Sequence, residues 1–161
     1  MHRVVQFVAH VRARVDPGEE AFVRRVLPGT AAALFEAMPV ADRRHALDVT
    51  GKLVAAGYDD PDLIAAALLH DAAKGHRMRL VHRVSGVLLE NFAPRLLRRL
   101  AHADATSWRH PFHLYLHHEP MSADLAERAG CSPRAGAFIR GEAAPLDEQL
   151  MRALKVADDR S

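Results

Sequence analysis

The chain has 161 residues, a length that fits one domain built around a single core. Apolar residues make up 49% and charged residues 26%, a balance that excludes a mainly disordered or fibrous chain. The formal net charge is only +2 and no dense block of Lys and Arg occurs, which argues against nucleic acid as a partner.

The cysteine content and the apolar runs predict a cytoplasmic protein. The single cysteine, Cys131, cannot form an internal disulfide, so nothing requires an oxidising compartment. The longest apolar run, residues 63–69, is much shorter than the roughly 20 residues of a membrane helix, and the start of the chain lacks the apolar core of a signal peptide. We therefore expect a cytoplasmic location and no membrane partner.

Helical spacing of Ala, Leu and Arg, with β-branched residues scattered between them, predicts an all-α fold in a single domain. The predicted helices are residues 2–14, 18–38, 41–57, 61–73, 79–91, 93–103, 109–118, 121–129, 133–140 and 146–158. We expect the second of these to break near Pro28 and Gly29, and residues 16–18 to separate the first helix from the rest.

The helix predicted at 61–73 has the clearest boundaries. Asp60 can cap its N-terminus, Pro61 occupies the first helical position, and Gly57 marks the end of the preceding helix. Its body, residues 63–69, is apolar on every side, so we expect it to be buried at the centre of a bundle. The pair His70 and Asp71 follows directly.

Eleven histidines are the one unusual feature of the composition, and two helices are predicted to direct polar residues into the core. On helix 41–57, His45 shares its stripe with apolar residues: Val49, Leu53 and Ala56. On helix 146–158, Asp158 ends a similar stripe: Leu146, Leu150 and Leu154. A buried carboxylate or lone imidazole is costly unless it is paired or binds a metal, so these residues, with His70 and Asp71, could surround a divalent cation.

A structural role remains the alternative for each residue alone. A single histidine on an apolar face is more often a hydrogen-bonded core residue than a ligand, and a terminal aspartate such as Asp158 is usually solvated. The order of the residues favours a metal site, because the His70-Asp71 pair follows His45 by 25 positions and ends a buried helix.

Three strings carry a resemblance to a known family: RHAL at 44–47, DLIAAALLHDAAK at 62–74 and VADD at 156–159. They resemble the His, His-Asp, Asp pattern of the HD superfamily of metal-dependent phosphohydrolases, whose members are helical bundles. The resemblance covers residues 41–159 as the HD-like core and leaves residues 1–40 as N-terminal accessory helices of the same domain.

The resemblance implies a metal site and a reaction. It assigns His45, His70, Asp71 and Asp158 as ligands of one divalent transition metal, with Asp159 as a near alternative to Asp158. Two imidazoles and two carboxylates suit Mn, Fe, Co, Ni or Zn without choosing among them. The implied activity is hydrolysis of a phosphate ester or anhydride of a small molecule, for example a nucleotide; the alternative is a catalytically silent HD domain that binds a nucleotide or a protein as a regulator.

A second metal ion is not expected from this sequence. His118, with His117 as the alternative, resembles the first extra histidine that two-metal members carry. Where the next histidine is expected the chain has Gly141 and Glu142 instead. Glu142 could supply an oxygen ligand, although an exposed surface carboxylate is the favoured interpretation.

Further roles follow for residues near the predicted centre. Lys74 lies one turn beyond His70 and, with Arg77 and Arg79, is predicted to bind the substrate phosphate, although a solvated basic face is the favoured interpretation for each arginine. The catalytic group is then Asp71, Lys74 and His118, the last as a proton donor to the leaving oxygen if it binds no metal.

Two aromatic residues and the cysteine are assigned structural roles. We expect Trp108 and Phe112 to be core anchors rather than a surface for stacking bases. Cys131 lacks the basic environment of a nucleophile, apart from nearby Arg134, so a catalytic role for it is not expected.

Overall fold

The structure is a computed structural model that describes residues 14–161. These residues form helices and turns without any strand, which confirms the all-α prediction for this part of the chain. All but the last residue of the helix predicted at 2–14 lies outside the described residues. No helix between residues 14 and 161 is both long and apolar enough to cross a membrane.

Nine α-helices occur in the described residues. They are α1 (Pro17–Val26), α2 (Gly29–Glu36), α3 (Val40–Ala55), α4 (Pro61–Leu69), α5 (Leu80–Phe92), α6 (Pro94–Leu100), α7 (His110–Arg128), α8 (Pro133–Arg140) and α9 (Glu148–Asp159). A short 3-10 turn at Pro145–Asp147 precedes α9.

Helix α4 forms the centre of the bundle, as its sequence predicts. All its residues from Leu63 to Leu69 are buried, and it touches α1, α2, α3, α7, α8 and α9. Asp60 caps the N-terminus by accepting hydrogen bonds from the backbone N–H groups of Asp62 and Leu63. A segment that is apolar all round has no solvent face, so the surrounding helices bury residues 63–69 on every side.

Several helix boundaries differ from the predicted ones. The predicted break at Pro28 and Gly29 separates α1 from α2. The helices predicted at 109–118 and 121–129 are instead one helix, α7, with Pro120 inside it. An interior proline removes one helical hydrogen bond, but buried residues on both sides, Leu114 and Ala123, hold the helix in place. Helix α4 ends at Leu69, four residues earlier than predicted, and turns carry the chain through residues 70–77.

Two residues predicted to lie in the core are exposed. Leu146 is 97% exposed because it belongs to the 3-10 turn and not to α9, so the apolar stripe of α9 begins only at Leu150. Trp108 is 72% exposed because it lies in the turn before α7. Phe112, one helical turn later, is buried as predicted.

One arginine connects the start of α4 to two later parts of the chain. Arg134 of α8 donates hydrogen bonds at 2.8 Å to both carboxylate oxygens of Asp60 and at 3.1 Å to Asp62. It also donates two hydrogen bonds to Asp147, the last residue of the 3-10 turn. Because α4 leads to His70 and α9 carries Asp158, this cluster fixes the two helices relative to each other.

Replacing Arg134 by leucine should lower the free energy of unfolding by about 1–2 kcal/mol at neutral pH, since three carboxylates lose a charged donor. Partial burial would raise the pKa of Asp60, but the hydrogen bonds from Arg134 outweigh this and lower it. The stabilisation is therefore complete above the ordinary aspartate pKa and is lost as the pH falls through the lower folded value.

Urea denaturation at pH 7 and at pH 3 tests this prediction. Arg24→Leu is the control, because Arg24 forms only an exposed ion pair with Glu36 and its loss should change little. Equal stability losses for the two variants at pH 7 would contradict the proposed role of Arg134.

Candidate metal centre

Three side chains from three different helices or helix ends converge at the C-terminal end of α4. His45 lies in the second turn of α3, His70 directly follows α4, and Asp158 lies in the last turn of α9. The Nε2 atom of His45 lies 2.8 Å from Oδ1 of Asp158, and Nε2 of His70 lies 3.5 Å from the same oxygen. The three potential ligand atoms all lie within 4.8 Å of one another.

The hydrogen bonding of His70 determines which of its ring nitrogens can bind a cation. Its Nδ1 lies 3.0 Å from the carbonyl oxygen of Ala67, and because a carbonyl only accepts, Nδ1 carries the proton. In the neutral ring Nε2 therefore presents a lone pair. This atom is buried and has no hydrogen-bond partner within residues 14–161.

Two carboxylates face this lone pair. Oδ1 of Asp158 and Oδ1 of Asp71 lie 3.5 Å and 3.6 Å from Nε2 of His70. Burial alone would lower the pKa of His70, but the charges of Asp71 and Asp158 outweigh this and raise it to about 9. The surroundings of Nε2 thus favour a positive charge at this position, supplied by a proton or by a metal ion.

The residues fit a divalent metal ion. Two imidazole nitrogens and a carboxylate oxygen are donors that borderline divalent metals accept. The Nδ1–H group of His70 donates to a backbone carbonyl, which orients the ring as is usual for a metal-binding histidine. Nε2 of His45 and Oδ1 of Asp158 share a hydrogen bond of 2.8 Å. A metal ion in place of the shared proton would be a partner for both of these atoms and for the unpaired Nε2 of His70.

Asp71 lies beside this group. Its side chain is 1% exposed, and Lys74 Nζ donates to its Oδ2 at 2.7 Å while lying 2.6 Å from its Oδ1. Burial would raise the pKa of Asp71, but the charges of His70 and Lys74 hold it well below its ordinary value. Asp71 is therefore an ionised carboxylate that connects the three-residue group to Lys74.

His118 approaches Asp71 from α7. Its Nδ1 donates to the carbonyl oxygen of Tyr115 at 3.1 Å, and its Nε2 lies 3.8 Å from Oδ1 of Asp71. Burial and the charge of Lys74 lower the pKa of His118, so the ring is neutral at neutral pH. A neutral ring suits a ligand or a proton acceptor better than the proton donor expected from sequence. The alternative residue, His117, is exposed and lies against His113 instead.

A cleft of about 380 Å³ is lined by His70, Asp71, His118 and Asp158, but not by His45. Of the predicted phosphate-binding residues, Lys74 lines it, whereas Arg77 and Arg79 are exposed and do not. Glu142 is also exposed and outside its lining, which leaves no oxygen ligand at that position.

Two cations that sequence reasoning missed line this cleft. They are Arg152 and Lys155, both on α9. Lys155 lies three residues before Asp158 and therefore on the same helix face. This spacing is the signal in the sequence that could have identified Lys155.

A larger groove is present elsewhere but lacks comparable chemistry. It has a volume of about 1090 Å³ and lies between the end of α3 and the start of α9. The described residues that line it include no histidine, cysteine or aspartate. Cys131 is buried, and burial raises the pKa of its thiol, in agreement with the expectation that it is no nucleophile.

Comparison with family models, with curated proteins and with solved structures finds no match to this chain. The geometry of the site is thus the basis for any functional conclusion.

Metal binding should raise the melting temperature, because a ligand that binds only the native state stabilises it. At about 100 times its Kd, Mn²⁺, Co²⁺, Ni²⁺, Fe²⁺ or Zn²⁺ should shift the midpoint by roughly 5–10 °C. Asp158→Asn and His70→Gln should abolish this shift, and Glu142→Gln should retain it. A shift of equal size in all four proteins would contradict the assigned ligands.

Proposed function

We propose that the protein is a metal-dependent phosphohydrolase of the HD type. It would act in the cytoplasm on a phosphate ester or anhydride of a small molecule, for example a nucleotide, rather than on a membrane or a nucleic acid. The observation that carries the proposal is the buried, unpaired Nε2 of His70, which faces two carboxylates beside a cleft that Lys74 also lines.

The chain's own residues would share the work of binding and orientation. His45, His70 and Asp158 would hold the metal ion, with Asp71 as the fourth ligand that the resemblance implies. A divalent ion bound there polarises a phosphoryl oxygen and lowers the pKa of water. Burial of Asp71 and His70 keeps bulk water away from these two residues, which would strengthen their charge interactions.

Lys74 and His118 would act on the substrate and on protons. The ammonium group of Lys74 has three N–H donors, of which the contact with Asp71 requires one, so the others can reach a phosphate oxygen in the cleft. The neutral ring of His118 can accept a proton at Nε2, since its Nδ1–H group is held by the carbonyl of Tyr115.

One observation favours a second candidate, a catalytically silent HD domain that binds a nucleotide or a protein partner. Lys74 lies within 2.7 Å of both carboxylate oxygens of Asp71, and Asp71 stands outside the tight group of three ligands. If this ion pair persists when metal is bound, Asp71 is unavailable as the fourth ligand. The domain would then bind a nucleotide or a protein partner without hydrolysing a substrate.

Hydrolysis of p-nitrophenyl phosphate and of nucleoside monophosphates with each metal distinguishes the two candidates. We expect metal-dependent turnover that Asp71→Asn reduces by about 10–100-fold and His118→Gln by about 100-fold or more. His117→Gln is the matched control, because its ring is exposed and outside the cleft, and it should leave kcat unchanged. Nucleotide binding without turnover in the metal-loaded protein would establish the silent domain instead.

A further inference from the structure

We infer that Lys155 binds the substrate phosphate and that the substrate is a compact phosphomonoester with one phosphate group. This inference rests on the proposed function and names its substrate class. The geometry that carries it is one face of α9, on which Met151, Leu154, Lys155 and Asp158 all line the cleft. Their spacing of three and four residues brings the ammonium group to the same side of the helix as the ligand Asp158.

Lys155 differs from the other cations of the cleft because its charge is uncompensated. Lys74 forms an ion pair with Asp71, and Arg152 lies 2.5 Å from Glu148. Among the residues that the structure describes, no carboxylate forms an ion pair with Lys155. An exposed lysine at the edge of an acidic cleft therefore keeps its donors available for an anionic ligand.

The charge of the cleft couples phosphate binding to metal binding. Four carboxylates line it: Asp71, Glu119, Asp158 and Asp159. The cations of the cleft are Lys74, Arg152 and Lys155, and a divalent ion adds two further positive charges. A phosphate dianion should therefore bind the metal-loaded protein more tightly than the metal-free one.

The size and walls of the cleft limit what is attached to the phosphate. A volume of about 380 Å³ lies near the lower end of the range for small-molecule sites. Beside the charged groups the cleft presents apolar side chains, Ile139 and Met151, that suit an uncharged organic group. One uncompensated lysine and one metal ion together supply enough positive charge for a single phosphate group. The additional negative charges of a polyphosphate would lie near the carboxylates of the cleft and be repelled by them.

Titration calorimetry with inorganic phosphate tests the role of Lys155 directly. In the metal-loaded protein we expect Lys155→Gln to raise the Kd for phosphate about tenfold or more, with metal content per chain unchanged. Lys155→Arg should retain most of the affinity. The matched control is Arg77→Gln, which removes an exposed cation outside the cleft and should leave the Kd unchanged.

The other outcomes separate this inference from the proposed function. Unchanged phosphate affinity in Lys155→Gln, with metal and phosphate both bound, would overturn the role of Lys155 and leave the hydrolase proposal standing. Tighter binding of pyrophosphate than of phosphate would overturn the restriction to one phosphate group. Absence of metal binding in the unmodified protein would overturn both the proposed function and the inference that rests on it.

Discussion

At the end of α4, the buried Nε2 atom of His70 has no hydrogen-bond partner among the described residues and lies beside two carboxylates. Oδ1 of Asp71 and Oδ1 of Asp158 lie 3.6 Å and 3.5 Å from this nitrogen. A positive charge is the one partner that all three groups can share. The surrounding helices bring His70, Asp71 and Asp158 together around a position that a positive charge can occupy.

The scaffold depends on the ends of helices more than on their middles. Helix α4 delivers His70 by ending early, since the turn after Leu69 places His70 beside Asp158 of α9 and Asp71 beside His118 of α7. At the opposite end of α4, Arg134 connects the capping residue Asp60 to the turn before α9. A buried apolar helix fixed at its start therefore sets the position of the polar groups at its end.

The cleft beside the proposed metal site is lined by charged side chains from α9 and from the turn after α4. Lys74 compensates Asp71 within the buried group, whereas Lys155 stands at the edge of the cleft without a carboxylate partner among the described residues. Breaking a buried ion pair costs free energy because each charge loses its partner. An exposed lysine, in contrast, has a flexible side chain that can adopt several conformations. In the proposed hydrolase, this difference would suit Lys74 to a fixed position near the reacting phosphate and Lys155 to recognition of an incoming anion.

The sequence alone determined the helical class and the burial of α4, because apolar periodicity and the capping residues around Asp60 are local signals. It also predicted that His45, His70 and Asp158 share one site. Tertiary structure decided what local patterns do not contain: that Leu146 and Trp108 are exposed, that Arg77 and Arg79 miss the cleft, and that Lys155 lines it. Which cation reaches a site depends on how separate helices pack, and that packing is set by contacts between residues far apart in the chain.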